Sequence, residues 1–233
     1  MKIISWNIHH WWNKKTINKI IESLDEQMFD ICILTEFREN NNWKIIKKYF
    51  SDKWYNLLTS NPENNDNWIL IILKWNIKYK ILNDKYLVPS QRWLEFEITD
   101  LNLRILAVHI PWWWDKYNKK EFWIELLKYA ELNKNNKNLI IWDYNTWFKY
   151  DTQWASFKFW NFMEDLVNIW YIDIFNFINK KIEFSWYSYK WNWFRIDHVF
   201  WTKNLIDLIK KCYFLHKYRE NKISDHSMLV VEI

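Results

Sequence analysis

The stretch NLIIWDYNT, residues 138–146, begins as an apolar run and breaks abruptly into Asp143 and Asn145. A short apolar run bounded by polar turn formers reads as a strand buried on both faces. Polar residues at its carboxyl end can then project into a pocket. The same pattern recurs outward along the chain. KIISWNI (2–8) carries Asn7 near its end, DICILTEF (30–37) carries Glu36 and is followed by Arg38, and LNLRILAVHI (101–110) carries His109. FRIDHVF (194–200) holds Asp197 and His198, and Asp225 and His226 stand just before the final apolar run.

Helical spacing fills the intervals. KTINKIIESLDEQ (15–27) places Ile17, Ile20, Ile21 and Leu24 on one face, and NKKEFWIELLKYAELN (118–133) does so with Phe122, Leu126, Leu127, Tyr129 and Ala130. Further helices are expected near 42–50 and 156–168, and further strands near 55–59, 69–74, 77–82, 92–98, 182–187, 206–214 and 228–233. No linker, low-complexity tract or repeat interrupts the pattern, so residues 1–233 are expected to form one α/β domain.

Composition narrows the class. Hydrophobic residues at 50% and charged residues at 26% exclude a disordered chain. Cys32 and Cys212 lie far apart with no CxxC, which argues against a disulfide framework or a structural zinc site. Asn7 interrupts any signal-peptide core, and the longest apolar run, 68–75, falls short of the roughly 18–20 residues of a membrane span. The expectation is a soluble cytoplasmic protein, monomeric and with no obligate protein partner. The net charge of +5 suits a polyanion but is too small to decide a ligand.

Two counts are abnormal together: glycine 0 and tryptophan 21. At a usual share of about 7%, a chain this long would hold roughly 16 glycines, and drawing none is on the order of a one-in-ten-million event. One hypothesis joins both counts: UGA codons meaning glycine have been read as tryptophan. Contexts agree with it. Trp54, Trp68, Trp191 and Trp193 stand in turn-like surroundings, Trp170 stands where a helix should end, and Trp112, Trp113 and Trp114 follow Pro111 in a loop. The 112–114 and 191–193 groups are expected in loops or turns. Trp6, Trp93, Trp123 and Trp186 read as genuine tryptophans, and Trp160 is open.

Carboxylates, amides and imidazoles at strand ends are the parts of metal-assisted phosphoester hydrolysis. Their order gives a resemblance. SWNI (5–8), LTEFR (34–38), LAVHIP (106–111), IIWDYNT (140–146), FRIDHVF (194–200) and SDHSML (224–229) are similar to the ordered motifs of the endonuclease/exonuclease/phosphatase superfamily, the DNase I-like and exonuclease III-like enzymes. With Trp142 read as glycine, IIWDYNT becomes IIGDYNT, closer still. The resemblance implies a four-layered sandwich, two mixed β-sheets packed face to face with helices outside.

It also implies roles. Glu36 would be the main Mg²⁺ ligand (Mn²⁺ serving as well), with Asn7 beside it and Asp225 reaching a second metal position or its waters. Asp143 would orient or deprotonate the attacking water, and Asn145 would bind a phosphate oxygen, with Arg38 a further phosphate contact. His226 would stabilise developing charge or deliver a proton, held by Asp197. His109 stands where abasic endonucleases often have tyrosine, which argues against abasic specificity. His9, His10 and His216 lack a motif partner and read as surface or loop residues, and His198, alternating with Asp197, reads as packing. The implied activity is Mg²⁺-dependent phosphodiester hydrolysis with nucleic acid, DNA first, as substrate. The alternatives are an enzyme for small or lipid-linked phosphates, and a non-catalytic binding domain on the same fold.

Overall fold

The computed structural model describes residues 1–9, 14–38, 41, 43–60, 66–82, 86–112, 115–152, 158–188 and 192–233. In chain order the first half runs β1 (Lys2–Asn7), α1 (Lys14–Asp25), β2 (Ile31–Phe37), α2 (Trp43–Asp52), β3 (Asn56–Thr59), β4 (Trp68–Leu73), β5 (Tyr79–Leu82), β6 (Trp93–Ile98) and β7 (Leu103–His109). Then follow α3 (Lys119–Asn133), β8 (Asn138–Asp143), α4 (Trp160–Asn168), β9 (Tyr171–Asp173), α5 (Ile174–Asn179), β10 (Trp186–Tyr187) and β11 (Trp193–Phe194). The chain closes with β12 (Asp197–Thr202), β13 (Lys211–Leu215), α6 (Lys217–Glu220) and β14 (Met228–Glu232).

Parallel neighbours need a crossover, and two helices supply one each. α1 carries the chain from β1 to its parallel neighbour β2, and α3 does the same from β7 to β8. Antiparallel strands complete two mixed sheets, ordered β13-β14-β1-β2-β4-β3 and β5-β6-β7-β8-β12-β9. Alternation decides which side chains meet where. Ile105, Ala107, Leu139, Ile141, Val199 and Trp201 face the first sheet, in one core with Ile3, Ile33, Ile71 and Val230. Leu106, Val108, Ile140 and Phe200 point the other way, onto Phe122, Trp123 and Leu126 of α3 and Met163 and Leu166 of α4. Each fully buried aliphatic side chain contributes about 1.5–3 kcal/mol, so both faces of the second sheet are held. The result is an α/β sandwich of two sheets with helices around it. No helix among the described residues is long and apolar enough to cross a membrane.

The departures from sequence expectation have local causes. The strand expected at 206–214 opens as a 3-10 turn over Lys203–Leu208, and only Lys211–Leu215 pairs. Its residue Leu208 is 47% exposed and gives a strand nothing to bury. The strand expected at 182–187 shrinks to Trp186–Tyr187, with Ile182 exposed. β9 and α5 were not foreseen; Asp173 ends one and caps the other, accepting from the Asn176 N–H. Trp68 is not in a turn but buried at the start of β4, and Trp54 ends a helix rather than a hairpin. Trp112 is in a loop, Trp193 in the short strand β11, and Trp113, Trp114, Trp191 and His10 lie outside the described residues.

Candidate active site

The carboxyl ends of β1, β2, β7 and β8 bring Asn7, Glu36, His109 and Asp143 to one end of the sandwich. Register does part of this: Asn7 pairs with Thr35 next to Glu36, and His109 pairs with Asp143. Glu36 sits in a bulge between Thr35 and Phe37, with φ at 54°. A non-glycine residue in the left-handed region costs about 1–3 kcal/mol, and bulges re-aim side chains. Here the carboxylate turns toward Asn7, whose Nδ2 donates to Glu36 Oε1 at 3.2 Å and to Asp143 Oδ2 at 3.0 Å. Asn7 Oδ1 accepts from the His9 N–H, so Asn7 stands as a bridge between the two carboxylates.

Asp143 Oδ2 is the focus of the group. His109 Nε2 lies 3.8 Å from it and His226 Nε2 lies 4.0 Å from it. Asp197, paired with Asp143 across β12 and β8, holds His226 Nδ1 at 2.9 Å. The ligand atoms of Asp143, Asp197 and His226 all lie within 4.8 Å of one another. Burial pushes the Asp143 carboxyl up from the usual carboxylate range, against the pull of His226, with Asp197 adding to the rise. Burial alone would lower His226, but the Asp197 charge and hydrogen bond outweigh it and raise its basicity. His109 goes the opposite way, driven well down by burial and by Arg92, whose Nη1 sits 3.3 Å from its Nδ1. A neutral His109 with Nδ1 turned to Arg92 leaves its Nε2 hydrogen for the Asp143 side.

Asn145 is fixed beside this group. Its N–H donates to Asp143 Oδ1 at 2.8 Å and its Nδ2 to the Ile110 carbonyl at 2.8 Å, while its buried Oδ1 has no partner. Asp225 stands at the rim, its Oδ1 3.1 Å from His9 Nδ1 and its Oδ2 accepting from Trp186 Nε1 at 2.9 Å. Arg38 donates from Nε to Asn67 Oδ1 at 2.7 Å and feels the charge of Glu36.

Four supporting residues escaped the sequence reading. His9, read there as a surface or loop residue, contacts Asp225. Its place two residues past Asn7 was the available signal. Arg92 holds His109 and is itself anchored by Asp115 at 2.7 Å. Lys119 donates from Nζ to the Asn145 carbonyl at 2.5 Å, its amine lowered to about 7 by burial despite the charge of Asp143. Ser224 Oγ donates to the Asn7 carbonyl at 2.6 Å and accepts from the His226 N–H at 3.0 Å. None of these four lies in an apolar run that breaks, so the pattern that exposed the others passed over them.

No protein-family model and no curated protein matches the chain. Solved structures do. The 3′ phosphatase NExo from Neisseria, bound to a product DNA hairpin, superposes with a TM-score of 0.80 at 15% identity, over 100% of this chain and 99% of that one. An AP endonuclease from Archaeoglobus fulgidus gives 0.80 at 16% identity, over 99% and 98%. An endonuclease/exonuclease/phosphatase family protein from Leptotrichia buccalis gives 0.73 at 18% identity, over 100% and 99%. At these identities the likeness is one of fold, the DNase I-like sandwich across the whole chain length.

Proposed function

We propose that the protein is a Mg²⁺-dependent phosphodiesterase whose substrate is DNA. The observation that carries this reading is the convergence on one carboxylate oxygen, Asp143 Oδ2, of Asn7, His109 and the Asp197-held His226. A hydrolase needs a base to orient water and an acid for the leaving oxygen, in neighbouring positions with separated proton affinities. Asp143 serves as the first and His226 as the second, with Asp197 fixing the imidazole. Asn145, already pinned through one amide hydrogen, has a second for a phosphate oxygen. The DNA-bound Neisseria 3′ phosphatase and the archaeal AP endonuclease share the fold and support a nucleic-acid substrate.

The donor set fits a hard divalent cation. Glu36 and Asp225 are oxygen donors, and the Asp225 side chain is 39% exposed, which leaves space for the waters Mg²⁺ retains. When bound there, the cation would neutralise charge on the phosphate oxygens. Supercoiled, abasic and single-stranded DNA, assayed beside phosphosugars and inositol phosphates with Mg²⁺ and with chelator, test the reading. Metal-dependent cleavage of DNA is expected. Full turnover in chelator would remove the metal, and turnover of the small phosphates alone would remove DNA.

We further propose that the natural polypeptide carries glycine at many tryptophan positions. Trp54 and Trp170 have φ of 64° and 83°, stand just beyond α2 and α4, and are 81% and 60% exposed. Trp54 N–H donates to the Ser51 carbonyl and Tyr55 N–H to the Phe50 carbonyl, the closing bonds of a helix end that favours glycine. Trp142 has φ of 149° and a buried indole N–H with no partner, as do the indoles of Trp68, Trp193 and Trp201. By contrast Trp6, Trp123 and Trp186 donate to His226, Thr146 and Asp225, though Trp93 does not follow them. Peptide mass spectrometry of protein from the source cell decides it. Glycine at 54, 142 and 170 is expected, and tryptophan there would end the idea.

A further inference from the structure

Next to His226 the structure holds a cavity of about 330 Å³ lined by His9, Tyr187, Arg219, Lys222, Ser224 and Asp225. It shares a wall with the site: Ser224 and Asp225 belong to the turn that delivers His226, and His9 lies two residues beyond Asn7. Two of its lining groups are cations with no salt-bridge partner among the described residues. Arg219 is 8% exposed, its Nη1 donating to the Phe184 carbonyl at 2.6 Å and its guanidinium lying 3.7 Å from the Tyr187 ring centre. Such a group is set before any ligand arrives, so little side-chain entropy remains to be lost. Lys222 is exposed, in a tight turn with φ of 57° and its N–H donating to the Arg219 carbonyl at 2.9 Å. The lining carboxylate, Asp225, has one oxygen against His9 and the other against the Trp186 N–H. Two cations thus face one cavity whose lining carboxylate is already engaged.

We propose that this cavity is a subsite for a second phosphate of the substrate, the backbone phosphate of a nucleic-acid strand that neighbours the phosphate being hydrolysed. The inference rests on the phosphodiesterase reading above. Arg219, stacked on the Tyr187 ring, supplies fixed donors for phosphate oxygens, and Lys222 a mobile charge. A strand passing through the site would leave one phosphate at Asp143 and His226 and place the next against Arg219 and Lys222. A phosphate on a small sugar would offer the same charge, so the test separates the two.

The experiment uses the full chain with Mg²⁺, wild type against Lys222→Asn, since asparagine tolerates the left-handed turn. Arg219→Lys is the second variant. Substrates are a thymidine oligonucleotide, the same oligonucleotide with a methylphosphonate beside the scissile bond, and a single-diester nitrophenyl nucleotide. Expected for Lys222→Asn is a KM about 5–10-fold higher on the charged oligonucleotide, a salt slope lower by about 0.7, and an unchanged kcat. Neither the nitrophenyl substrate nor the methylphosphonate should distinguish variant from wild type. Equal KM values on the charged oligonucleotide, or a loss that persists with the methylphosphonate, would overturn the subsite. Tighter binding of a sugar bisphosphate than of the oligonucleotide, equally sensitive to Lys222, would overturn its assignment to a strand. If wild type cleaves neither substrate, the phosphodiesterase reading fails by itself. Equilibrium binding of a labelled oligonucleotide then reads the subsite, with the same fold loss expected.

Discussion

Among the described residues, the protein holds two buried groups of two aspartates and a histidine: Asp143, Asp197 and His226, and Asp151, Asp173 and His198. They are built from the same strand, because Asp197 and His198 are consecutive in β12 and point to opposite faces. They differ in one residue. Arg195 fills the second group, its Nε and Nη2 on Asp151 at 2.9 and 3.0 Å and its Nη1 on Asp173 at 2.8 Å. His198 completes it, with Nδ1 3.3 Å from Asp173 and Nε2 on the Arg195 carbonyl at 2.9 Å. That group is closed, because every carboxylate has its cation, although at Asp151 burial still outweighs the Arg195 charge and raises the carboxyl. The first group has no arginine between its carboxylates. Asp143 is balanced by histidines, amides and the more distant charge of Lys119, and its proton affinity stays raised. What separates the candidate site from the closed ion cluster is the missing arginine plug, not the residue types.

The largest effects should fall on catalysis at the open group. Asp143→Asn, His226→Ala and Glu36→Ala are each expected to lower kcat by about 10²–10⁴, with small changes in Tm. Comparable losses from His198→Gln at unchanged stability would break the distinction. At the closed group the expected effect is on folding. Arg195→Met strands two buried carboxylates and should cost about 3–5 kcal/mol in denaturant titrations. Turnover per folded molecule should remain within a few fold of wild type.

Acid sharpens the same contrast. Burial would raise Asp173, but the Arg195 charge and the His198 hydrogen bond outweigh it and hold it at about 2. A carboxyl depressed in the folded state stabilises above its unfolded value near 3.8 and loses that contribution as pH falls toward 2. The stability gap between wild type and Asp173→Asn should therefore be full at about pH 5 and close by about pH 2. A gap independent of pH would mean that the ion pairs are not its source. The smallest effects lie at two exposed helix ends. Trp54→Gly and Trp170→Gly should each raise stability by about 1 kcal/mol through relief of backbone strain, leaving kcat unchanged.

Sequence alone determined the alternation of buried strands and amphipathic helices, and the sandwich followed from the resemblance of its ordered motifs to a known family. It also singled out Asn7, Glu36, His109, Asp143, Asp197 and His226 as candidates, because each interrupts, ends or directly precedes an apolar run whose direction is known locally. Hydrophobic period is a short-range property, carried by neighbours two to four residues apart. Partnership is not. Ser224 reaches Asn7 across 217 positions, Arg92 reaches His109 across 17, and Asp151 and Asp173 reach Arg195 across 44 and 22. Only the folded chain decides those meetings. Which aspartates are plugged by a guanidinium and which stay open depends on where separate loops place their charges after the sheets have packed.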